Sequence, residues 1–453
     1  MRIRIDHGTV ITHRHDGPVV LDDHTVVIED GVITAVRPTT PALDDSSDEV
    51  IDASKHLVIP GLINTHHHLY QSLTRGLKPV QDAPLFDWLK ALYQRWRRID
   101  HEAVNAAAQI SIAELLLSGC TTTSDHFYVF PQGSDARIEA VLEAAESLGI
   151  RIHACRGSMS VGASQGGLPP DECVQAENEI MRDCERAIEQ FQDEAVGSMR
   201  RIDLAPCSPF SVSEALLRDT AALTRSRGAL LHTHAAETLD EENYCVERFG
   251  MRPIEWLDKI GWLGQDVYLA HCVHLSDAEI ARLVATRTGI AHCPCSNMRL
   301  GSGIAPVRRL LDAGAKVGVG VDGNSSNDGG HLLAEARQAM LLQRVCGGGG
   351  ALSVAEAFGL VTTGGAAVLN RAELGNITEG FAADIALFRR DDVALAGAVE
   401  QDPLGALMLC HVGRADRVIV NGRSVVKDGR IVGVDLPVLI ERFNRIVRDV
   451  FRG

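Results

Sequence analysis

The sequence lacks the positive charge that a general nucleic-acid or anionic-membrane binder needs. Its 453 residues include 44 basic and 60 acidic side chains, which gives a formal net charge of −16. Both kinds of binding depend on a positive surface field. We therefore expect neither a nucleic-acid partner nor a membrane partner.

The sequence also lacks a long apolar segment and paired cysteine motifs. No stretch approaches the about 20 apolar residues of a membrane span. The first residues, MRIRIDHGTVITHRHDG, contain no apolar signal-peptide core. The 11 cysteines are scattered without CxxC pairs, which predicts reduced and mostly buried thiols. Together these absences predict a cytoplasmic protein.

The two ends of the chain differ in composition from its middle. Residues 1–60 and 375–435 are rich in β-branched residues separated by turn signals, and VIVNGRSVV contains the Asn-Gly pair of a two-residue hairpin. We expect these ends to form one small β-sandwich domain, residues 61–374 a barrel domain and residues 436–453 a C-terminal helix. The acidic stretch at 39–50 predicts a solvated loop.

The middle of the chain alternates short apolar strands with longer helical patterns. Eight candidate strands end near His68, His126, Cys155, Cys207, His234, Cys272, Cys293 and Asp322. Capping-box patterns at 211–214, 276–279 and 353–356 indicate helix starts. Eight strand–helix repeats favour a closed (β/α)8 TIM-type barrel over an open doubly wound sheet, and no dinucleotide glycine fingerprint follows the first strand. The predicted fold class is therefore α/β.

Polar side chains gather where the predicted strands end, which is where barrels of this type place their chemistry. These side chains are His66 and His68 after the first strand, His234 and Glu237 after the fifth, His271 at the sixth and Asp322 at the eighth. Each motif alone is a hypothesis. Their shared position at one rim predicts a single site.

The spacing of the three consecutive histidines separates their roles. His66 and His68 point to one side of an extended segment and His67 to the other. Two imidazoles on one face are typical of a metal-chelating pair, although a hydrogen-bonded pair in a crowded loop is the alternative. His234 adds a third imidazole to the candidate site. Asp322 completes it, because a buried carboxylate needs a cation or hydrogen-bond donors. Taken alone, His234 could be an ordinary core histidine, and Asp322 could be an ordinary turn residue.

A metal site of these four residues predicts hydrolysis. Catalytic zinc sites keep one position for water, and the metal lowers the pKa of that water toward about 7. We expect Asp322 to take the proton of the water, Glu237 to protonate a ring nitrogen of the substrate and His271 to orient the water or the developing oxyanion. This set is complete for hydrolysis at a carbon that bears a leaving amine.

The chain resembles the amidohydrolase superfamily over essentially its whole length, in the branch of aminohydrolases that act on purines, pyrimidines and triazines. The resemblance rests on PGLINTHHH, HTHAAE, LAHC, HCPCSNMRLGSGIAPV and GVGVDGNSSND. It implies the same four metal ligands, with Glu237 as proton shuttle and His271 as water-orienting histidine. The bridging lysine of relatives with two metals is not evident at LAPCSPF, so one divalent metal per chain is expected, Zn2+ or alternatively Fe2+.

Within that branch, NTHHHLYQSLTR, CRGSMSVG and APCSPF look most like the 8-oxoguanine deaminases. This implies conversion of 8-oxoguanine and water to urate and ammonia, with isocytosine also accepted. Gln71 stands where guanine deaminases place a purine-contacting glutamine, and Cys207 stands where adenosine deaminases usually have histidine. Hydroxydechloroatrazine ethylaminohydrolase and guanine or cytosine deaminase are the alternatives. A non-catalytic assembly protein of the same fold fits less well, because every ligand position is filled. The relatives imply a homo-oligomer.

Other candidate pocket residues have weaker signals. Arg156 and Ser158 follow the third strand and could reach a purine oxygen, although an arginine paired with a carboxylate is the competing interpretation. Trp88 could stack on a flat ring, but its helical spacing is more typical of a core residue. His126, held by Asp125, is predicted to support the metal site from behind.

Overall fold

In a computed structural model, residues 1–40 and 47–451 are described. Half of the loop predicted at 39–50, namely residues 41–46, lies outside these ranges. The described residues form one eight-stranded and one nine-stranded sheet.

The strands follow one another in three segments of the chain. The first segment forms β1 (Arg2–Arg14), β2 (Gly17–Glu29), β3 (Val32–Pro38), β4 (Glu49–Asp52) and β5 (His56–Pro60). The middle segment forms β6 (Leu62–Asn64), β7 (Cys120–Phe127), β8 (Arg151–Ser158), β9 (Arg200–Pro206), β10 (Leu231–Ala235), β11 (Val267–His271), β12 (Gly289–His292) and β13 (Val317–Val319). The last segment forms β14 (Ile385–Arg389), β15 (Arg417–Val420), β16 (Arg423–Lys427) and β17 (Arg430–Ile431).

The helices lie mainly between and after the middle strands. Up to β13 they are α1 (Leu85–Trp96), α2 (His101–Leu117), α3 (Glu139–Leu148), α4 (Glu177–Phe191), α5 (Glu214–Arg227), α6 (Leu239–Phe249), α7 (Pro253–Lys259), α8 (Asp277–Thr286), α9 (Pro294–Arg299) and α10 (Val307–Asp312). Beyond it they are α11 (Leu332–Gly347), α12 (Val354–Leu360), α13 (Thr363–Val368), α14 (Ala398–Gln401), α15 (Pro403–Leu409) and α16 (Leu436–Phe451). None of the helices in the described ranges has the length and apolar composition needed to cross a bilayer.

The middle strands pair in chain order from β6 to β13, and their ladders are parallel. The backbone N–H of Thr65 donates to the carbonyl of Val319 at 3.0 Å. This bond joins the ends of the first strand, β6, and the last strand, β13, and closes the barrel. Both faces of β7 and β8 are buried, as parallel strands require when helices cover one face and the barrel interior the other. The predicted TIM-type barrel is confirmed.

The helix starts test the capping predictions. Ser276 and Ser353 each form a complete capping box with the glutamate three residues later, which confirms two of the three. The third prediction is wrong, because α5 is capped by Ser213. The carbonyl of Ser211 instead accepts the backbone N–H of Ser160 at 2.9 Å, which ties this segment to the loop after β8 and delays the helix.

The terminal sheet joins both ends of the chain. β5 pairs parallel with β1 and antiparallel with β14. Asn421 and Gly422 turn between β15 and β16 with φ of 49° and 73°, so the predicted two-residue hairpin is confirmed. The N–H of Ala383 donates to the carbonyl of Gly31 at 2.8 Å, which brings the β2–β3 turn to the C-terminal strands. The terminal strands therefore form one continuous sheet, and the domain limits remain predictions.

Candidate metal centre

Three histidines and one aspartate meet at the C-terminal rim of the barrel. His66 and His68 follow β6, His234 lies near the end of β10, and Asp322 follows β13. The Nε2 atoms of His68 and His234 lie 3.0 Å apart. Asp322 Oδ1 lies 3.3 Å from Nε2 of both His66 and His68. All four side chains are buried, so the structure brings the four predicted ligands together.

Hydrogen bonds at Nδ1 determine which ring nitrogen of each histidine faces the centre. The Nδ1–H groups of His68 and His234 each donate to a backbone carbonyl at 2.6 Å. His66 Nδ1 lies 2.8 Å from His232 Nε2. Because His232 Nδ1–H is already donated to the carbonyl of Tyr268, His232 accepts and His66 donates. Each of the three Nε2 atoms therefore presents a lone pair to the centre.

This arrangement fits a divalent metal. Two unprotonated nitrogens 3.0 Å apart repel each other and cannot form a hydrogen bond. Nε2 of His66 is buried without a hydrogen-bond partner in the described part of the chain. Burial lowers the pKa of His66, His68 and His234, which keeps them in the neutral form that binds metal. A cation among these nitrogens would remove both penalties.

Two serines hold the Asp322 carboxylate. Ser296 Oγ donates to Oδ2 at 2.5 Å and Ser326 Oγ donates to the same atom at 3.1 Å. Oδ1 is thereby directed toward the histidines. Hydrogen bonds to the charged form favour ionisation, so Asp322 offers a carboxylate oxygen as a ligand or proton acceptor.

Left-handed backbone places several side chains at this rim. Ala236, His271 and Asp322 have φ of 55°, 72° and 61°, a conformation that costs a non-glycine residue about 1–3 kcal/mol. Neighbouring contacts hold it in place: the N–H of Ala236 donates to Glu241 Oε1 at 2.9 Å, and that of Asp322 to the carbonyl of His66 at 3.1 Å. The strain lies where strand ends turn toward the centre.

Glu237 and His271 lie beside the candidate ligands. His271 Nε2 is 3.6 Å from Glu237 Oε2, and its Nδ1–H donates to Asn297 Oδ1 at 2.9 Å. Burial raises the pKa of Glu237 to about 7. Burial lowers the pKa of His271, but the nearby carboxylates of Glu237 and Asp322 outweigh this and raise it overall. A carboxyl group with a near-neutral pKa is suited to general acid–base chemistry.

A cavity opens onto the centre. Its walls are mainly apolar and aromatic, from Leu85, Trp88, Leu89, Tyr128, Phe210 and Leu300. Its polar lining consists of Gln71, Cys207 and Ser326 together with His68, His234, Glu237, His271 and Asp322. None of these lining residues is lysine or arginine. The lining suits a flat heterocycle that carries no phosphate.

Three of the predicted substrate contacts line this cavity. The Gln71 side chain is buried, and its Oε1 has no hydrogen-bond partner among residues 1–40 and 47–451. Cys207 follows β9, and burial raises the pKa of its thiol to about 12, so the thiol is neutral. Trp88 lies on α1, and its indole N–H donates to the carbonyl of Ser325 at 3.2 Å. Trp88 is therefore both a buried core residue and part of the cavity wall.

The structure does not bring Arg156 and Ser158 to the cavity. The Arg156 guanidinium lies 3.9 Å from the centre of the Phe130 ring and donates to Asp183 at 2.7 Å and to Gln175 at 2.9 Å. Both Arg156 and Ser158 are buried, and neither lines the cavity. The competing interpretation of Arg156, pairing with a carboxylate, is the one that the structure bears out.

The neighbours of the candidate ligands have separate roles. The ring nitrogens of His66, His68, His126 and His234 form one buried group that could hold a metal ion, and His67 lies outside this group. The backbone carbonyl of His67 accepts the N–H of His126 at 2.7 Å, and burial lowers the pKa of His67 to about 3. His126 lies within the group, with its ligand atom no more than 4.8 Å from those of three histidines. Asp125 does not hold His126 as predicted. Its Oδ1 accepts the N–H of Leu69 at 2.7 Å and so fixes the segment after His68.

Sequence reasoning gave no role to several residues that shape the site. They are Tyr128, Phe210, His232, Ser296, Asn297 and Ser326. Each lies in or within a few residues of a motif that ends a predicted strand. Proximity to a strand end was therefore a usable signal, but it could not say which neighbour faces the cavity.

Known proteins match this chain over most of its length. The amidohydrolase family matches residues 57–425. The 8-oxoguanine deaminase of Pseudomonas aeruginosa is 46% identical over 433 residues, which are 94% of this chain and 95% of that protein. The hydroxydechloroatrazine ethylaminohydrolase of Pseudomonas sp. strain ADP is 32% identical over 447 residues, 96% of this chain and 92% of that protein.

A solved structure extends the likeness to the fold. The zinc complex of atrazine chlorohydrolase TrzN from Arthrobacter aurescens TC1 has a TM-score of 0.93 and 34% identity, covering 98% of this chain and 100% of that one. The relatives support the predicted aminohydrolase branch, and the buried imidazole cluster supports a divalent metal. With a family match that spans most of its residues, this chain belongs to the amidohydrolase family.

Proposed function

We propose that this protein hydrolytically deaminates an amino-substituted purine base, with 8-oxoguanine and water giving urate and ammonia. One observation carries the proposal: the neutral imidazoles of His68 and His234, the Asp322 carboxylate and a Glu237 with a pKa of about 7 open onto one cavity lined by Gln71 and Cys207. The 46% identity to an 8-oxoguanine deaminase supports the substrate class. Isocytosine, which has the same amino-oxo pyrimidine pattern, is the expected second substrate.

The proposed cofactor is one Zn2+ per chain, with Fe2+ as the alternative. The residues that would hold it are His66, His68, His234 and Asp322. A divalent cation at such a centre supplies a Lewis acid that makes water a nucleophile near neutral pH. The zinc complex of the structurally similar atrazine chlorohydrolase supports the choice of metal.

Two carboxyl groups move the protons in this proposal. Asp322 Oδ1, which faces the histidines, takes the proton of the attacking water. Glu237 in its protonated form delivers a proton to the ring nitrogen next to C2. A bond forms between the water oxygen and C2. The proton on Asp322 then passes to the amino nitrogen, the bond from C2 to that nitrogen breaks and ammonia leaves. The hydroxyl proton at C2 returns to Glu237 as the carbonyl forms. The near-neutral pKa of Glu237 supports this role.

The remaining groups orient the reactants. His271 is fixed through its Nδ1–H by Asn297 and directs Nε2 toward the reacting oxygen, where a donor stabilises developing negative charge. Gln71 offers a buried amide with a free acceptor to the edge of the base, and Trp88 offers an aromatic wall. Cys207 adds a small neutral thiol beside the ring. Arg156 and Ser158 have no place in this set.

Hydrolysis of an N-alkylamino hydroxytriazine is the second candidate. Its support is the 32% identity to a hydroxydechloroatrazine ethylaminohydrolase over nearly the whole chain. Both reactions replace an amine on a ring carbon by oxygen, so the same proton path serves either.

A release assay separates the candidates. Metal-loaded protein is incubated with 8-oxoguanine, guanine, isocytosine, cytosine and N-ethylamino hydroxytriazine, and ammonia or ethylamine is measured together with the ring product. We expect the highest kcat/KM for 8-oxoguanine, with urate as the product. A higher kcat/KM for the triazine would replace the purine proposal with the second candidate.

A further inference from the structure

The loop that follows β13 packs directly against Gln71, the residue proposed to contact the substrate base. A Cβ on Gly323 would come within 3.0 Å of both Oε1 and Cδ of Gln71, closer than real Cβ atoms approach other atoms. Gly323 does not have a positive φ, so its backbone does not require glycine. Space for the Gln71 amide is what requires it.

Gly323 also contacts the metal side of the site. Its backbone N–H donates to Asp322 Oδ1 at 2.7 Å. One residue therefore borders a candidate metal ligand on one side and the Gln71 amide on the other. Any change in its position alters the separation of these two groups.

Ser325 fixes two cavity residues at once. Its Oγ donates to the carbonyl of Gln71 at 2.8 Å and lies 2.5 Å from Thr74 Oγ1. Its own carbonyl accepts the indole N–H of Trp88 at 3.2 Å. Ser325 is 1% exposed, so water does not compete for these contacts. Ser325 thus holds both the backbone of Gln71 and the ring of Trp88 in place.

The loop itself is anchored to the barrel and to α11. The side-chain amide of Asn327 donates to the carbonyl of Val321 at 2.8 Å and to Glu335 Oε2 at 2.9 Å. Glu335 in turn accepts the N–H of Cys295 at 2.8 Å, which connects the loop to the start of α9. A loop held at both ends can set a distance between the groups that it contacts.

We infer that residues 322–326, the rim loop, set the position of Gln71 and Trp88 relative to the metal centre, with Gly323 and Ser325 as positioning residues that determine substrate affinity. The inference rests on the proposed function, in which Gln71 reads the base. Gly323 and Ser325 do not line the cavity. They act through the residues that do, so their loss changes KM and leaves the metal in place.

A double-mutant cycle tests Gly323. We expect Gly323→Ala to raise KM for 8-oxoguanine about 10- to 100-fold, because displacing the amide removes its hydrogen bond to the base. Metal content and kcat change less than about twofold. In a Gln71→Ala background the same change has almost no further effect, because residues that act through one contact are not additive. A full effect of Gly323→Ala in that background, or loss of metal, overturns the inference.

The segment between the rim loop and α11 provides a matched control. A Cβ on Gly329 would meet only Asn327 Oδ1, at 3.9 Å, and Gly329 has no positive φ. We expect Gly329→Ala to leave KM within about twofold of the parent. Equal effects of the Gly323 and Gly329 changes would indicate general loosening of the loop and would overturn the positioning role.

Ser325 is tested by a pair of substitutions. Ser325→Ala removes the hydroxyl that holds Gln71 and is expected to raise KM about tenfold with metal retained. Ser325→Thr keeps the hydroxyl and is expected to restore most of the affinity. If Ser325→Thr is as impaired as Ser325→Ala while metal and thermal stability match the parent, the hydroxyl is not the positioning group.

Crystal structures distinguish failure of this inference from failure of the proposed function. If the unsubstituted protein releases no ammonia from any purine or pyrimidine base, the proposed function fails. The inference is then decided by the position of the Gln71 amide. A displaced amide in Gly323→Ala and an unmoved one in Gly329→Ala support the positioning role, and an unmoved amide in both overturns it.

Discussion

The metal side and the base side of the site are built differently. On the metal side, each histidine Nδ1 has a hydrogen-bond partner at 2.6 to 2.8 Å, and Asp322 has two hydroxyl donors. On the base side, Oε1 of Gln71 has no partner among the described residues. The metal side is thus oriented before any ligand arrives, whereas the base side has bonding capacity left for the substrate.

This difference predicts separate consequences of mutation. Changes on the metal side alter metal binding and the chemical step, and changes on the base side alter KM. A single substitution that changes both metal binding and KM would contradict this separation of the two sides.

The largest effect is expected from the candidate ligands. His66→Ala and Asp322→Asn should bind metal more than about 100-fold more weakly, since losing a partner behind a ligand already costs about 10- to 100-fold. Turnover should fall to background. Metal analysis after gel filtration measures this, with His67→Asn as the adjacent control that keeps its metal. A His66→Ala variant with full metal content would remove His66 from the site.

The next largest effect is expected at Glu237. Glu237→Gln preserves the shape of the side chain but cannot deliver a proton. We expect kcat to fall by about 10²- to 10⁴-fold with metal content unchanged. Steady-state kinetics and metal analysis on the same sample provide the test, and near-normal turnover would refute the proton-shuttle role.

A smaller effect is expected on the base side. Gln71→Ala removes the unpaired amide and should raise KM about 10- to 100-fold, while metal content and kcat stay close to those of the parent. Gln71→Glu is the matched control for size. A Gln71→Ala variant that loses kcat with KM unchanged would move this residue to the metal side.

The pH profile reports the protonation of Glu237. Burial raises its pKa to about 7, and the protonated form that donates exists below that value. We therefore expect kcat/KM to fall as the pH rises through about 7, or through a lower value once a cation favours the carboxylate. The profile is measured beside that of Glu237→Gln, in which this limb should be absent. Activity that only rises through this range would contradict the assignment.

The smallest effect on activity is expected at Arg156. Arg156→Met removes the guanidinium that pairs with Asp183, but Asp183 keeps a second partner, Arg186, at 2.8 Å. We expect the free energy of unfolding to fall by about 1–3 kcal/mol, with KM within twofold of the parent. Denaturant unfolding and kinetics measure the two effects. A large rise in KM at unchanged stability would return Arg156 to the substrate site.

The candidate ligands could be predicted from sequence because two simple rules fix them. His66 and His68 share a face through the two-residue period of extended chain, and His234 and Asp322 lie where strands end. The barrel itself followed from eight strand–helix repeats. These features are local, so they need no knowledge of packing.

Arg156 shows where the same rules fail. Arg156 follows Cys155 on β8, and adjacent strand residues point to opposite faces. The thiol of Cys155 lies 3.2 Å from the Tyr268 hydroxyl inside the barrel. Arg156 therefore points the other way, toward α4. Every residue of β8 is buried, so its polarity pattern does not reveal which face is inward. The contact of Ser325 with Gln71 was equally hidden, because it joins two residues that lie 254 positions apart in sequence.

Zinc titration of the metal-free protein, with ammonia and urate measured from 8-oxoguanine, tests the proposed centre most directly. We expect turnover to rise linearly and to saturate at about one zinc per chain, with equal amounts of ammonia and urate. Full turnover by the metal-free protein, or zinc-loaded protein that releases no ammonia, would contradict the assignment of this site as a metal-dependent deaminase.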